Sequence, residues 1–276
     1  MTALDPRRAL MIQGNGSGYR PDPPGHDEPF EIRAAAGRTG ATVAVVSSEV
    51  RLEERTPISE QANSDCVANA WCDAMELIMP PDDVRQISRR AAYWISRAQH
   101  GEECVDGGTY VRTAANISRD VGVCLESLWP YSSPVNQRPS LAALQQCWDN
   151  RIDGHYAIRV SGSTDRERRA DKRQQLRDAL EGGFPIVGAF ALGDPWMDLG
   201  RSSPAVEPPN GQPIVGWHAM VIVGFRVRSD GSIEWELRNS WGTAWGKDGH
   251  GFMTDAYVLD STFANDFRVP TRAPSF

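Results

Sequence analysis

Two stretches of the second half of the chain decide how the rest is read. The first is Gly216-Trp217-His218-Ala219-Met220. The second, after a short hairpin, is Arg238-Asn239-Ser240-Trp241-Gly242-Thr243-Ala244-Trp245-Gly246. A histidine opens the apolar strand Ala219 to Phe225, an asparagine follows on the next strand, and tryptophans lie just beyond it. Upstream, Gln61-Ala62-Asn63-Ser64-Asp65-Cys66-Val67-Ala68-Asn69-Ala70 puts a cysteine at a helix start, after turn-forming residues. A helix N-terminus and a neighbouring imidazolium both favour thiolate over thiol. An asparagine can hold the second ring nitrogen of a histidine and fix its tautomer. A glutamine amide, with a backbone N–H, can stabilise an oxyanion. Cys66, His218, Asn239 and Gln61 thus supply a nucleophile, a base, an orienting group and an oxyanion donor.

Each residue also has a plainer reading. A buried structural cysteine is the commonest fate of a cysteine, and Cys72, Cys104, Cys124 and Cys147 keep that reading. Of five histidines, His26, His100, His155 and His250 have no comparable setting, and only His218 opens a strand that leads into the Asn239 segment. Asp65 stands against the assignment, because a carboxylate beside a thiolate opposes its ionisation unless it points away.

The segment Asn-Ser-Trp-Gly-x-x-Trp-Gly-x-x-Gly, matched by Asn239, Ser240, Trp241, Gly242, Trp245, Gly246 and Gly249, resembles the papain-like cysteine peptidases. Cys66-Val67-Ala68-Asn69-Ala70 is similar to the bacterial and viral branch of that family. The resemblance runs from about Ser48 to Leu259. It implies an α+β, two-lobed fold, with a helical first lobe, an antiparallel β second lobe and the cleft between them. It implies thiol-dependent peptide hydrolysis of a protein or peptide substrate, without a cofactor or metal. Gly107 and Gly108 then resemble the strip that pairs with an extended substrate, Trp217 narrows the cleft, and Trp241 shields the His218–Asn239 hydrogen bond. The chain departs from the family in places. The Gln61-to-Cys66 spacing is one residue short, Asn63 and Ser64 replace a bridging cysteine so that Cys104 is expected unbridged, and His250 stands where an aromatic is usual. Two other readings stay open: an amidase, transpeptidase or isopeptidase on the same fold, and a binding protein on an inactive one.

The bulk properties narrow the field. A formal charge of -7 makes nucleic-acid binding a poor candidate. Mean hydropathy is -0.44, no apolar run reaches transmembrane length, and the patch Ala9-Leu10-Met11-Ile12 is too short for a signal-peptide core, which points to a cytoplasmic protein with no membrane partner. Oligomeric state has no signature. Five cysteines without a Cys-x-x-Cys pair suggest neither a disulfide framework nor a zinc site. Residues 1–47, rich in Gly, Pro and charge, read as a mobile arm or short pro-segment, and 48–276 as the peptidase domain. Part of residues 20–46 is expected to cross or border the cleft. Helices are expected over 66–79, 82–98 with Asp82-Asp83 as cap, 109–119, 140–148 and 165–180. Strands are expected over 156–160 and 184–192 and in the hairpins after 216, with a long proline-punctuated loop over 193–216.

Overall fold

The run Cys66-Val67-Ala68-Asn69-Ala70-Trp71-Cys72 is small or apolar on every side, which suits a helix enclosed on all faces. The computed structural model of the chain describes residues 19–21, 47–152, 154–274 and 276. In it this helix is α1, Cys66–Leu77, and all 12 of its residues are buried. Helices α2 (Arg89–Ala98) and α3 (Val111–Asp120) pack on it, and α4 (Leu141–Asp149) covers Cys124 and Trp129.

The second lobe is an antiparallel sheet of seven strands: β2 (Glu49–Arg51), β4 (His155–Ala157), β5 (Ile186–Leu192), β6 (Gly216–Val227), β7 (Ile233–Arg238), β8 (His250–Thr254) and β9 (Ala264–Pro270). Their order is β4-β9-β5-β6-β7-β8, with β2 also on β6. A short parallel pair joins β1 (Tyr19–Arg20) to β3 (Thr109–Tyr110). The charged helix α5 (Asp165–Glu181) lies outside the sheet, begun by a Thr164–Glu167 capping box.

Strand alternation on β5 and β6 joins the lobes. Ile186, Phe190, Met220 and Ile222 face the core of the second lobe. Val187, Ala189, Ala219, Val221 and Val223 face the other way and pack with α1. Alanines at the contact let the helix come close to the sheet.

Several element boundaries differ from expectation, for long-range reasons. No helix begins at Asp82-Asp83. Ser88 caps α2, its Oγ accepting from Ala91 N–H at 3.0 Å, and Ile87 N–H donates to Glu76 Oε1 at 2.7 Å. A carboxylate from α1 thus holds this backbone extended. Helix α3 starts at Val111 because Thr109 and Tyr110 are engaged by β1. Strand β4 is shorter than the expected 156–160 and begins at His155. The 193–216 loop contains the single turn α6 (Asp194–Met197), and α7 (Asp255–Val258) interrupts the last hairpins. Thr42 to Val46, with the rest of 22–46, lies outside the described residues.

A chain of buried charges crosses the seam. Arg89 meets Glu76 at 2.7 Å and Asp73 at 2.5 Å, and Asp73 meets Arg238 at 3.3 Å. Arg238 also pairs with Glu54, to which His250 Nε2 bonds at 2.8 Å. Burial raises the Glu54 carboxyl, but His250 and Arg238 outweigh it and bring it down to about 2. Removing one member of such a chain leaves buried charge unpaired. Arg89→Met, which leaves the buried Glu76 carboxylate without its cation, is therefore expected to cost about 3–5 kcal/mol of stability in urea unfolding. A loss below about 1 kcal/mol would show that the seam holds without this charge.

Candidate active site

Cys66 is the first residue of α1, follows Asp65 at the N-cap, and is fully buried. Its Sγ accepts from Ala219 N–H at 3.4 Å, so the thiol rests against the opening of β6 directly beside His218. His218 Nε2 lies 2.7 Å from Asn239 Oδ1. The same Oδ1 accepts from Ser240 N–H at 2.8 Å. A backbone N–H can only donate, so the amide orientation is determined and Nε2 must carry the ring proton. Nδ1 has no hydrogen-bond partner among the described residues. The neutral ring therefore offers its lone pair at Nδ1. Burial lowers the His218 pKa to about 4, against the Asn239 bond, which raises it. A lone imidazolium is disfavoured here, whereas an imidazolium formed together with a thiolate is paired.

Trp241 covers the arrangement. Its ring stacks on His218 with centroids 4.7 Å apart and planes 27° apart, and Trp245 meets it edge-on. Gln61 is brought to the same place through Ser240. Its N–H donates to Ser240 O at 2.8 Å, its Oε1 accepts from Ser240 Oγ at 2.6 Å, and its Nε2 donates to Asn63 O at 3.0 Å. One amide proton of Gln61 remains uncommitted by these bonds.

The glycine strip and Trp217 lie around Tyr19 and Arg20. Arg20 Nε donates to Gly107 O at 2.9 Å, and a Cβ on Gly107 would come within 2.8 Å of the Arg20 guanidinium. Gly108, at φ +84°, donates its N–H to Tyr93 Oη at 3.0 Å. The half-buried Trp217 faces the Tyr19 ring at 5.9 Å.

Tyr131, Asp106 and Tyr93 were not singled out from sequence, and they decide how the loop around Asp65 is held. Asp65 does turn away from the thiol: its Oδ2 accepts from Tyr131 Oη at 2.8 Å and its Oδ1 from Asn69 Nδ2 at 3.1 Å, with Arg90 at 3.7 Å. Tyr131 Oη in turn accepts from Ala62 N–H at 2.9 Å. Asp106 accepts from Ser64 N–H at 3.0 Å, Asn63 Nδ2 at 3.1 Å and Tyr93 Oη at 2.7 Å. Two carboxylates thus hold the loop before Cys66 where the family resemblance implies a disulfide, and all five cysteines are free. The available signals were the Asp106 immediately before Gly107-Gly108 and the Trp129-Pro130-Tyr131 sequence, each silent about its partner. His250, bonded to Glu54, belongs to the seam.

Burial pushes the Asp65 carboxyl up to about 7, against Tyr131 and Arg90, while the charge of Asp106 adds to the rise. A carboxyl with a folded pKa above its unfolded value binds more protons in the folded state, so its contribution to stability shrinks as pH rises through about 7. Asp65→Asn is therefore expected to gain stability relative to the parent between about pH 4 and pH 7, read by urea unfolding at both. A parent-minus-variant difference independent of pH would refute the buried, proton-retaining carboxyl.

Comparison with known proteins identifies the family and the fold. The model of the papain family cysteine proteases matches residues 38–258. An uncharacterised peptidase C1-like protein of Acanthamoeba polyphaga mimivirus is 29% identical over 217 residues, covering 76% of this chain and 68% of that protein. A senescence-specific cysteine protease of rice is 26% identical over 205 residues, which is 70% of this chain and 52% of the rice protein, so the chain spans about half of that relative's length. Among solved structures, xylellain, a cysteine protease from Xylella fastidiosa, superposes with a TM-score of 0.73 at 24% identity, covering 93% of this chain and 95% of that one. Procathepsin B of Trypanosoma congolense does so at 0.67 and 15%, covering 99% and 89%. The viral and bacterial resemblance read from the nucleophile segment and the two-lobed α+β fold are both upheld. The chain belongs to the papain family of cysteine proteases.

Proposed function

We propose that this protein hydrolyses peptide bonds through a Cys66–His218–Asn239 triad and a thioester acyl-enzyme. The observation that supports the reading is the Asn239 Oδ1, which accepts from both Ser240 N–H and His218 Nε2–H and so leaves Nδ1 unprotonated on the residue preceding Ala219, whose N–H bonds to Cys66 Sγ. Nδ1 takes the thiol proton, and Sγ attacks the substrate carbonyl carbon. The resulting oxyanion receives the Cys66 backbone N–H at the start of α1 and the remaining amide proton of Gln61. The Nδ1 proton passes to the leaving amine, the C–N bond breaks, and the acyl group stays on Sγ as a thioester. Water, losing its proton to Nδ1, attacks the thioester. Collapse releases the carboxylic acid and returns the thiol. No step needs a cofactor or metal.

A thiol-directed epoxysuccinyl probe followed by peptide mapping tests the nucleophile. Cys66 is expected to be labelled first, ahead of exposed Cys104. Cys66→Ala and His218→Ala each abolish nearly all turnover, with the double variant hardly worse, because members of one catalytic unit are not additive. Gln61→Ala lowers kcat roughly 10²-fold. Label found first on Cys104, or full activity in His218→Ala, would overturn the triad.

The N-terminal arm is proposed to restrain the enzyme. Tyr19 and Arg20 pair with Thr109 and Tyr110 and bond to the glycine strip, where an extended substrate would lie. A tethered segment competes at a high effective concentration. The full chain carrying Tyr19→Ala and Arg20→Ala is expected to label at Cys66 several-fold faster than the parent. Equal labelling rates would remove the restraint from the account.

A further inference from the structure

Two free thiols outside the triad meet on segments that the backbone ties together. Cys124 precedes the Trp129-Pro130-Tyr131 stretch, and Cys147 lies in the last turn of α4. Both are buried in one small apolar cluster with Ile95, Ile117 and Trp129. The two segments are clamped on either side of the pair. Val123 N–H donates to Asn150 O at 3.1 Å, and Leu125 N–H donates to Gln146 Oε1 at 2.8 Å. At Gly122, where φ is +95°, a Cβ would lie 1.7 Å from the Cys147 carbonyl oxygen, so only a glycine admits this approach. Hydrogen bonding with the Cys147 thiol, together with burial, pushes the Cys124 thiol far up. No other two thiols are so placed among the described residues. Cys66 and Cys72 lie more than a turn apart on α1, and Cys104 is exposed.

A thiol attacks a disulfide as its thiolate. While α4 is seated, both sulfurs are closed to solvent and Cys124 is held as the thiol. The seating of α4 is weak, however. Of its nine residues only Ala143 and Cys147 are buried, while Leu141 and Trp148 are exposed. An element with so few buried contacts opens locally well before the whole domain unfolds. Opening uncovers the two thiols, and closing brings them back together.

We propose that Cys124 and Cys147 form a redox site, at which a low-molecular-weight disulfide of the glutathione type installs an internal bridge that fastens α4 to the segment carrying Tyr131. On opening, one thiol loses its proton and attacks a sulfur of the glutathione disulfide. That S–S bond breaks and one glutathione thiol leaves. The second cysteine, also deprotonated, attacks the protein sulfur of the mixed disulfide and expels the other glutathione thiol. The Cys124–Cys147 bond forms, the two cysteines are oxidised, the glutathione disulfide is reduced, and the two protons end on the released thiols. The bridge closes a loop of about 20 residues, which removes freedom chiefly from the unfolded and locally opened chain. Tyr131 bonds to Asp65 and to Ala62 N–H, so the loop before Cys66 leans on the segment that is fastened. The site does not depend on the peptidase chemistry.

The test incubates the full chain, without denaturant, in an excess of oxidised glutathione or in a reductant, and then blocks remaining thiols with N-ethylmaleimide below neutral pH. A glutamate-specific protease cuts at Glu126, between the two cysteines, so the bridge is read as a linked pair of peptides that separates on reduction. Most of the oxidised protein is expected to carry the Cys124–Cys147 link, and none of the reduced protein. The oxidised form is expected to unfold at a urea concentration about 1 M higher than the reduced form. Cys124→Ser and Cys147→Ser each abolish the link and the shift, which separates the bridge from glutathione carried on exposed Cys104. Glutathione adducts without the link, a link to any other cysteine, a link that forms only in denaturant, or a midpoint that the link leaves unmoved overturns the proposal.

Discussion

The contact between Asp73 and Arg238 governs the geometry of everything around the cleft. Asp73 lies two turns along the helix that begins at Cys66, and Arg238 is the residue before Asn239. Their side chains meet at 3.3 Å in a seam closed to water. A buried carboxylate and a buried guanidinium are costly apart and tolerable together, so the seam has one well-defined arrangement. Arg238 also donates to the backbone oxygen of Pro57 at 2.7 Å, which binds the segment leading to Gln61 to the same point. Helix, strand end and loop are held by one side chain, and the thiol, the imidazole and the glutamine amide inherit their separations from it. The apolar contact of Ala189, Ala219 and Val221 with α1 supplies the area, and the ion chain selects the register.

The electrostatics of the site follow from its burial. His218 has no exposed surface and is capped by the Trp241 ring, so the neutral imidazole is favoured until a negative charge forms next to it. That environment suits a proton transfer between two adjacent groups and discourages protonation by solvent. The carboxylate of Asp65, next to Cys66 in the chain, is kept from opposing this by its bonds to Tyr131 and Asn69. The loop ahead of the thiol is immobilised by Asp65, Tyr131, Asp106 and Tyr93 rather than by a disulfide. Burial, together with the neighbouring carboxylates, pushes both phenols up, so both remain donors over the working pH range. A loop held in this way keeps its shape in a reducing compartment, where a disulfide is easily lost.

Asp106 has a second effect. Through Tyr93 it reaches Gly108 N–H, while directly it holds Ser64 N–H. The loop before Cys66 and the Gly107-Gly108 segment are thereby tied to one carboxylate, and their separation does not depend on either loop alone. Tyr19 and Arg20 lie along that segment, with the Tyr19 ring against Trp217.

Residue order alone determined what depends on local chemistry. Helix α1 was legible because its residues are small or apolar on all sides, β5 because Ile186–Leu192 is an unbroken apolar run, and α5 because a charged stretch ends at Gly182-Gly183. Cys66, His218, Asn239 and Trp241 could be named because the spacing around Asn239 is long and specific, and their positions follow from which elements they begin or end. Tertiary structure alone decided which distant groups meet. The partner of Asp65 is 66 positions away and that of Asp73 165 positions away. The start of α2 moved to Ser88 because Glu76, on another helix, captured the Ile87 N–H. The Tyr19 hydroxyl meets residues 246 and 247 positions away in the chain. None of these pairs leaves a periodic or compositional trace, because each is set by the close approach of two folded lobes and by the cost of leaving a buried polar group without a partner.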